Sequence, residues 1–291
     1  MSGGKFNFNN CLVQVRNLNQ RKKPIKSMQT QSKFLKVAIQ AAKIAEGVIL
    51  KYYQKNLAVR FKEDNSALTI VDEEAEKAIL GVLSENFPHH GFLGEELGNE
   101  GCKDSEYTWV VDPIDGTKNF SRGIPIFGTQ IGLARQGKII VGVANAPALG
   151  ELCYAEEGQG AWCNRSRIHV SRVSSLDRAY LNFGGIKYFG RKHLVDKLAK
   201  LANQLFSCRS FGGDTWPYHL LAQGKIDLIL DPDIKIWDVA GSKLIIEEAG
   251  GIITDFQGKP LDFNSTTSLA GNKRLHSLVL KYFRSSLVQV S

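Results

Sequence analysis

The chain has 291 residues, enough for one large domain or two coupled halves, with an ordinary 43% hydrophobic and 23% charged residues. No run of about 18 apolar residues occurs, so no segment reads as membrane-spanning. The net charge of +8 is concentrated: six of the 37 bases lie in residues 1–27, which hold no acid, and the remainder carries 31 bases against 29 acids.

That basic stretch contains Lys5, Arg16, Arg21, Lys22, Lys23 and Lys26. It admits three readings: an organelle-targeting segment, a nucleic-acid-binding arm, or an extension without function whose real start is Met28. Phe6 and Phe8 are its only aromatic residues, so no interleaving of the kind that binds RNA is present. We expect residues 1–27 to be a disordered extension and 28–291 a single domain with a soft internal boundary near residue 150.

Leu35, Ala38, Ala42, Ala45 and Ile49 recur at three- and four-residue spacing, which predicts an amphipathic helix. A charged loop, Lys62 to Ser66, follows. A second helix is expected from about Asp72, with Ala75, Ile79 and Val82 as its stripe. Phe92-Leu93 predicts a short strand before Gly94-Glu95-Glu96, with His89-His90 ahead of it in a surface loop. Thr108 to Val111 predicts a strand running into aspartates. Phe127–Ala134 and Ile139–Ala144 flank Gln136-Gly137 and predict a hairpin, and Cys153–Ala155 a further strand. Ile226–Leu230 and Ile252–Thr254 predict strands, separated by a helix over Val239–Glu248. Strands and helices alternate with hairpins among them, which argues for a layered α/β fold. The cysteines (Cys11, Cys102, Cys153, Cys163, Cys208) include no Cys-x-x-Cys pair, so neither a zinc site nor a disulfide framework is expected. A reducing compartment such as the cytoplasm fits.

Three acidic clusters carry the chemistry: Glu95-Glu96, Asp112-Pro113-Ile114-Asp115-Gly116-Thr117, and Trp237-Asp238. Asp112 leaves the apolar run Trp109-Val110-Val111, and Pro113 biases it toward extended backbone. A turn can bring Asp115 beside it. Two adjacent carboxylates repel unless a cation sits between them. Oxygen donors without a His/Cys cluster select magnesium over zinc. Gly116 permits close backbone approach, and amides at Gly116 and Thr117 suit an anion if a helix begins there. The hexapeptide alone also fits turn and capping aspartates.

Trp109 through Phe120 resembles the signature of the inositol monophosphatase family. Gly94-Glu95-Glu96 resembles its glutamate motif, and Trp237-Asp238-Val239-Ala240-Gly241 with Glu248-Ala249-Gly250-Gly251 its C-terminal signature. The likeness runs from about residue 30 to the end. It implies an αβαβα layered sandwich, commonly a homodimer, that hydrolyses small phosphate monoesters with two or three magnesium ions. By position it implies Glu95, Asp112, Asp115 and Asp238 as carboxylate ligands, the Ile114 carbonyl as another, and Asp72 at a weaker third site. Leu68 stands where the family more often has Val, a local departure beside Asp72. Glu95 and Thr117 would orient and deprotonate the attacking water.

Family members act on inositol phosphates, histidinol phosphate, fructose bisphosphate or 3′-phosphoadenosine compounds. The resemblance places selectivity in Arg209–Asp214 and Leu230-Asp231-Pro232. Gly116, Thr117, Gly213, Asp214 and Asp231 are the expected substrate-binding residues. Inositol-specific members usually have a small residue at the place of Asp214. An acid pair suits cationic histidinol phosphate better than inositol. Gly213-Asp214, with Tyr218 and Asn145–Leu149, looks like the histidinol-phosphatase branch; Asp214 also fits a helix N-cap. The alternatives are an inositol or broader sugar-phosphate or nucleotide 3′-phosphatase and, from another class, a nucleic-acid-associated protein with a vestigial metal site. The intact carboxylate set argues against the last.

Overall fold

A computed structural model of the chain describes residues 31–55, 60–61, 67–102 and 105–284. The basic extension 1–27, Cys11 and the charged loop 62–66 lie outside the described residues. The described residues from Lys33 to Arg284 form one compact unit.

Helix α1 (Lys33–Tyr52) buries Leu35, Val37, Ala38, Ala41, Ala42, Ala45 and Ile49, the expected stripe. Short strands β1 (Arg60–Phe61) and β2 (Ala67–Leu68) then pair antiparallel. Helix α2 (Ile70–Asn86) starts two residues before Asp72 because Thr69 caps it. Thr69 Oγ1 accepts from Val71 N at 3.2 Å, and Asp72 Oδ2 accepts from Thr69 N at 2.7 Å. Its buried face is Val71, Asp72, Ala75, Glu76, Ile79 and Leu83, so Leu83 replaces the expected Val82 and two acids lie in an apolar stripe.

Eight strands form the first sheet: β3 (Gly91–Gly94), β4 (Gly98–Gly101), β5 (Tyr107–Asp115), β6 (Gly128–Arg135), β7 (Lys138–Ala146), β8 (Glu151–Glu156), β9 (Ala161–Cys163) and β10 (Ser166–Ile168). Their order is β10-β9-β8-β7-β6-β5-β3-β4, and only β3 and β5 run parallel. Alternation splits the side chains between two cores. Trp109, Val111, Ile131, Leu133, Val141 and Val143 pack with α1 and α2, while Val110, Ala144, Cys153 and Ala155 face the other way. The boundary expected near residue 150 falls inside the β7–β8 hairpin; the chain leaves this sheet only after Ile168.

The second sheet holds β11 (Tyr180–Phe183), β12 (Ser207–Arg209), β13 (Leu228–Asp231), β14 (Gly251–Thr254) and β15 (Ser268–Asn272), in the order β12-β11-β13-β15-β14. Outside it lie α4 (Ile186–Arg191), α5 (Val195–Ala202) and α8 (Lys273–Arg284), which bury Phe189, Leu198, Leu275 and Val279 against Leu181, Leu230 and Leu269. Between the sheets lie α6 (Thr215–Ala222) and α7 (Ile236–Glu248), whose Leu221, Val239 and Leu244 join Val110 and Ala144 to Ile229, Ile253 and Ala270. The result is the five-layer αβαβα sandwich implied by the sequence.

Glycines set the height of α7. A Cβ on Gly142 would lie 2.4 Å from Gly241 O, and one on Gly132 would lie 2.8 Å from Ala240 O. The helix therefore rests on bare backbone, which brings its first turn, with Asp238, down to the end of β5.

Two expectations are corrected. His89 is exposed, but His90 is buried. It stacks on Phe87 and Tyr107, and its Nδ1 accepts from Trp109 Nε1 at 3.0 Å. Cys153 and Cys163 form a disulfide across β8 and β9, where they sit in register. Sequence spacing alone did not reveal that pairing, because the hairpin makes it.

Candidate active site

Asp112 and Asp115 are three residues apart, and a regular strand would send them to opposite faces. In β5 Asp112 pairs with Gln130 and Asp115 with Gly128, so three steps on one strand meet two on the other. The extra residue is a β-bulge, which turns both carboxylates to the same side. A bulge within the strand, rather than a turn after it, thus brings them together. Beyond it Gly116 adopts φ 96°, and α3 (Thr117–Ser121) begins.

Around this pair the structure gathers Glu95, Asp214, Asp231 and Asp238 in one cleft of about 400 Å³, with Ile114, Gly116, Thr117 and Gly213 also lining it. Asp72 stands behind Thr117. The Thr117 hydroxyl can donate to Asp72 Oδ1 at 2.8 Å or to the Ile114 carbonyl at 3.0 Å. The other Asp72 oxygen is held by Thr69 N and, at 2.6 Å, by its hydroxyl. Every residue named from the sequence for catalysis, metal or substrate is therefore in or directly behind one site.

Several supporting residues escaped the sequence reading. Glu76, fully buried, accepts from Glu96 N at 2.9 Å and Leu97 N at 3.0 Å, fixing the turn that carries Glu95. A Cβ on Gly94 would come within 1.7 Å of that carboxylate, so the glycine is required. The signal was present: Asp72 and Glu76 are one helical turn apart within an apolar stripe. Thr215 Oγ1 donates to Asp115 Oδ2 at 2.7 Å and accepts from Gln130 Nε2 at 3.2 Å. Gln130 Oε1 in turn accepts from Ser242 N at 3.0 Å. Lys118, Asn119 and Tyr188 also line the cleft.

The substrate-side residues are held differently. Asp214 occupies the N-cap position of α6, but its side chain makes no capping bond. Its Oδ2 accepts instead from Asn119 Nδ2 at 2.6 Å. Asp231 Oδ1 accepts from Asp233 N at 3.2 Å. Its carboxylate lies between Gly184 and Gly213, where a Cβ would come within 2.7 and 2.1 Å of it. Tyr218 is buried and bonds Ser268 Oγ at 2.9 Å, while Asn145 reaches Glu46 at 2.9 Å; neither lines the cleft.

The electrostatics are one-sided. Burial pushes the Asp112 and Asp115 carboxyls well above the usual range, and nearby carboxylates add to it, Glu95 first for Asp112 and Asp214 first for Asp115. Burial raises Asp238 to about 7, with Glu95 adding. It also raises Asp214 to about 6, against the opposing pull of Asn119 and Lys118. Asp231 is likewise raised by burial, and Asp72 too, partly offset by its bonds to Thr69. Lys118 is the only cationic side chain among the described residues lining the cleft. Asp112 Oδ1 is buried and has no hydrogen-bond partner among the described residues. An orphaned carboxylate oxygen amid oxygen donors fits a hard divalent cation.

The sequence model of the "Inositol monophosphatase family" matches residues 30–287. A "Histidinol-phosphatase" from Streptomyces coelicolor is 37% identical over 78% of this chain and 87% of that protein. An "Inositol-1-monophosphatase" from Mesorhizobium japonicum is 34% identical over 88% and 98%. The crystal structure of the extragenic suppressor protein suhB from Bartonella henselae superposes with a TM-score of 0.83 at 33% identity, covering 88% of this chain and all of that one.

Proposed function

The chain belongs to the inositol monophosphatase family and is a phosphatase; from that premise we propose that it hydrolyses histidinol phosphate in a magnesium-dependent reaction. Glu95, Asp112, Asp115, Asp238 and the Ile114 carbonyl would hold two ions, and Asp72, through its remaining lone pairs, a third. Magnesium there would neutralise the phosphate and lower the pKa of the attacking water.

The chain's own groups do the rest. Asp72 takes the Thr117 proton into a hydrogen bond, which leaves the Thr117 oxygen free to accept from water. Glu95, held in place by the turn on Glu76, receives the proton that the water loses. Gly116 keeps the floor open for the phosphate: a Cβ there would lie 3.1 Å from Asp214 Cγ and from Ile126 O. No covalent enzyme intermediate is needed.

The observation that carries the substrate is the set of carboxylates lining the cleft beyond the proposed ligands, Asp214, Asp231 and Asp233, with Lys118 the only cationic side chain among the described lining residues. A substrate ammonium or imidazolium would relieve that excess. A second reading, inositol 1-phosphate, is favoured by the bond that already ties Asp214 Oδ2 to Asn119. A homodimer in the cytoplasm belongs to the same proposal; no described helix is long and apolar enough to cross a membrane. The test is phosphate release from histidinol phosphate, inositol 1-phosphate and fructose 1,6-bisphosphate with magnesium. The reading expects the highest kcat/KM on histidinol phosphate. A preference for inositol phosphate that survives Asp214→Ala overturns it.

A further inference from the structure

A second group of donor atoms lies in the core between the sheets, away from the carboxylates. Cys153 on β8 and Cys163 on β9 face each other in register with Cα atoms 4.0 Å apart. Both join the apolar cluster that includes Leu220 and Leu221 of α6. His219 of the same helix is fully buried, and one of its ring nitrogens and the two sulfurs all lie within 4.8 Å of one another. Among the described residues neither ring nitrogen has a partner within good hydrogen-bond geometry. Nδ1 faces Glu151 Oε2 at 3.5 Å, a long contact that helps hold the Glu151 carboxyl below its usual range.

A buried imidazole nitrogen left without a partner, as Nε2 is among the described residues, is costly, about 1–3 kcal/mol, and a leucine would fill the same space without that penalty. The neighbourhood instead matches a known pattern for thiophilic metals, in which thiolates and an imidazole bind and a carboxylate stands behind the imidazole. Glu151 is placed for that last part. It is anchored by Gln223 Nε2 at 3.2 Å and Lys225 Nζ at 3.6 Å. Tetrahedral zinc would hold its donors about 3.8 Å apart, inside the observed limit. Charge also balances: two thiolates cancel a divalent ion, so an apolar core encloses no net charge. Sulfur and nitrogen donors exclude magnesium here.

We propose that Cys153, Cys163 and His219, once the disulfide is opened, form a zinc-class metal site distinct from the catalytic cleft. In the structure the sulfurs are joined, so metal and disulfide exclude each other. Opening by a phosphine is balanced: two electrons pass to the disulfide, the phosphine takes an oxygen from water, and each sulfur gains a proton. Binding the ion then releases those two protons. The site would fasten α6 to the first sheet one turn below Thr215, the residue that holds Asp115.

The test uses the full chain, reduced with a phosphine, in excess magnesium so that the carboxylates are occupied, and titrated with cobalt(II). One thiolate-bound cobalt per chain is expected, read from thiolate-to-cobalt charge-transfer absorption, and zinc should displace it. The oxidised chain should show neither. Cys163→Ser should remove the charge-transfer absorption, and His219→Gln should weaken cobalt binding at least tenfold, with circular dichroism confirming the fold. Absence of thiolate–cobalt absorption in the reduced wild type overturns the proposal without any variant. So does absorption unchanged in Cys163→Ser, or a cysteine pair that stays oxidised under the phosphine.

Discussion

The cleft has two walls, and they are built by different means. The wall from the eight-stranded sheet presents Asp112 and Asp115 from a bulged central strand, clamped by Thr215 and Gln130. Glu95 leaves a turn tied to a buried glutamate, and Asp238 rides a helix seated on glycines. The wall from the five-stranded sheet presents Asp214 from a glycine-rich loop, with Gly212 at φ 100°, and Asp231 from a strand end between two more glycines. The first wall holds charge at fixed positions by hydrogen bonds and close packing, which is what phosphate chemistry common to many esters requires. The second presents its carboxylates from a loop and a strand end, joined to the first through Asn119, and it is the wall to which the proposal assigns the choice of alcohol.

Variants on each wall should therefore fail in different ways. Asp115→Asn should lower kcat by about 10³-fold or more on every ester, since on the proposed mechanism it removes a cation ligand worth several kcal/mol of transition-state stabilisation. A variant that fails on one ester only would erase the distinction between the walls. Thr117→Ala should lower kcat by about 10²-fold with KM little changed, because it removes the group that orients water; a rise in KM alone would move Thr117 to the binding wall. Asp214→Ala should change the ratio of kcat/KM between histidinol phosphate and inositol 1-phosphate by about tenfold, the worth of one charge-assisted contact. An equal loss on both substrates would assign Asp214 to the chemistry.

Proton linkage gives a smaller signal of the same kind. Asp214 and Asp238 have folded values of about 6 and about 7 against an ordinary 3.8. Between those limits the folded chain binds more protons than the unfolded one, so their contribution to stability falls as pH rises through that window. In chelator the melting temperature should drop as pH rises from about 4 to about 7, and magnesium should raise it more at the upper end than at the lower. A magnesium effect independent of pH would contradict the shared-cation account.

The layers and the residues that gather in the cleft were legible because they rest on local pattern. The stripe of α1, the hairpin around Gln136-Gly137 and the three acidic motifs each declare themselves within a dozen residues. What stayed hidden depends on register and on contacts far along the chain. The Asp112–Asp115 bulge is set by pairing with β6, and the Glu76 clamp spans twenty residues of sequence. Thr215 reaches Asp115 across a hundred residues. Asn119 holds Asp214 from ninety-five residues away, a bond that no local pattern announces although Asp214 itself was expected in the cleft. The cysteine pair was missed for the same reason: ten residues apart, Cys153 and Cys163 meet only because β8 and β9 form a hairpin.

The account rests first on a cation held by the first wall. The direct measurement is phosphate release from histidinol phosphate by the full chain stripped of metal with a chelator, before and after magnesium is restored. The account predicts no release without metal and recovery with magnesium alone. Steady release in the chelator would contradict it.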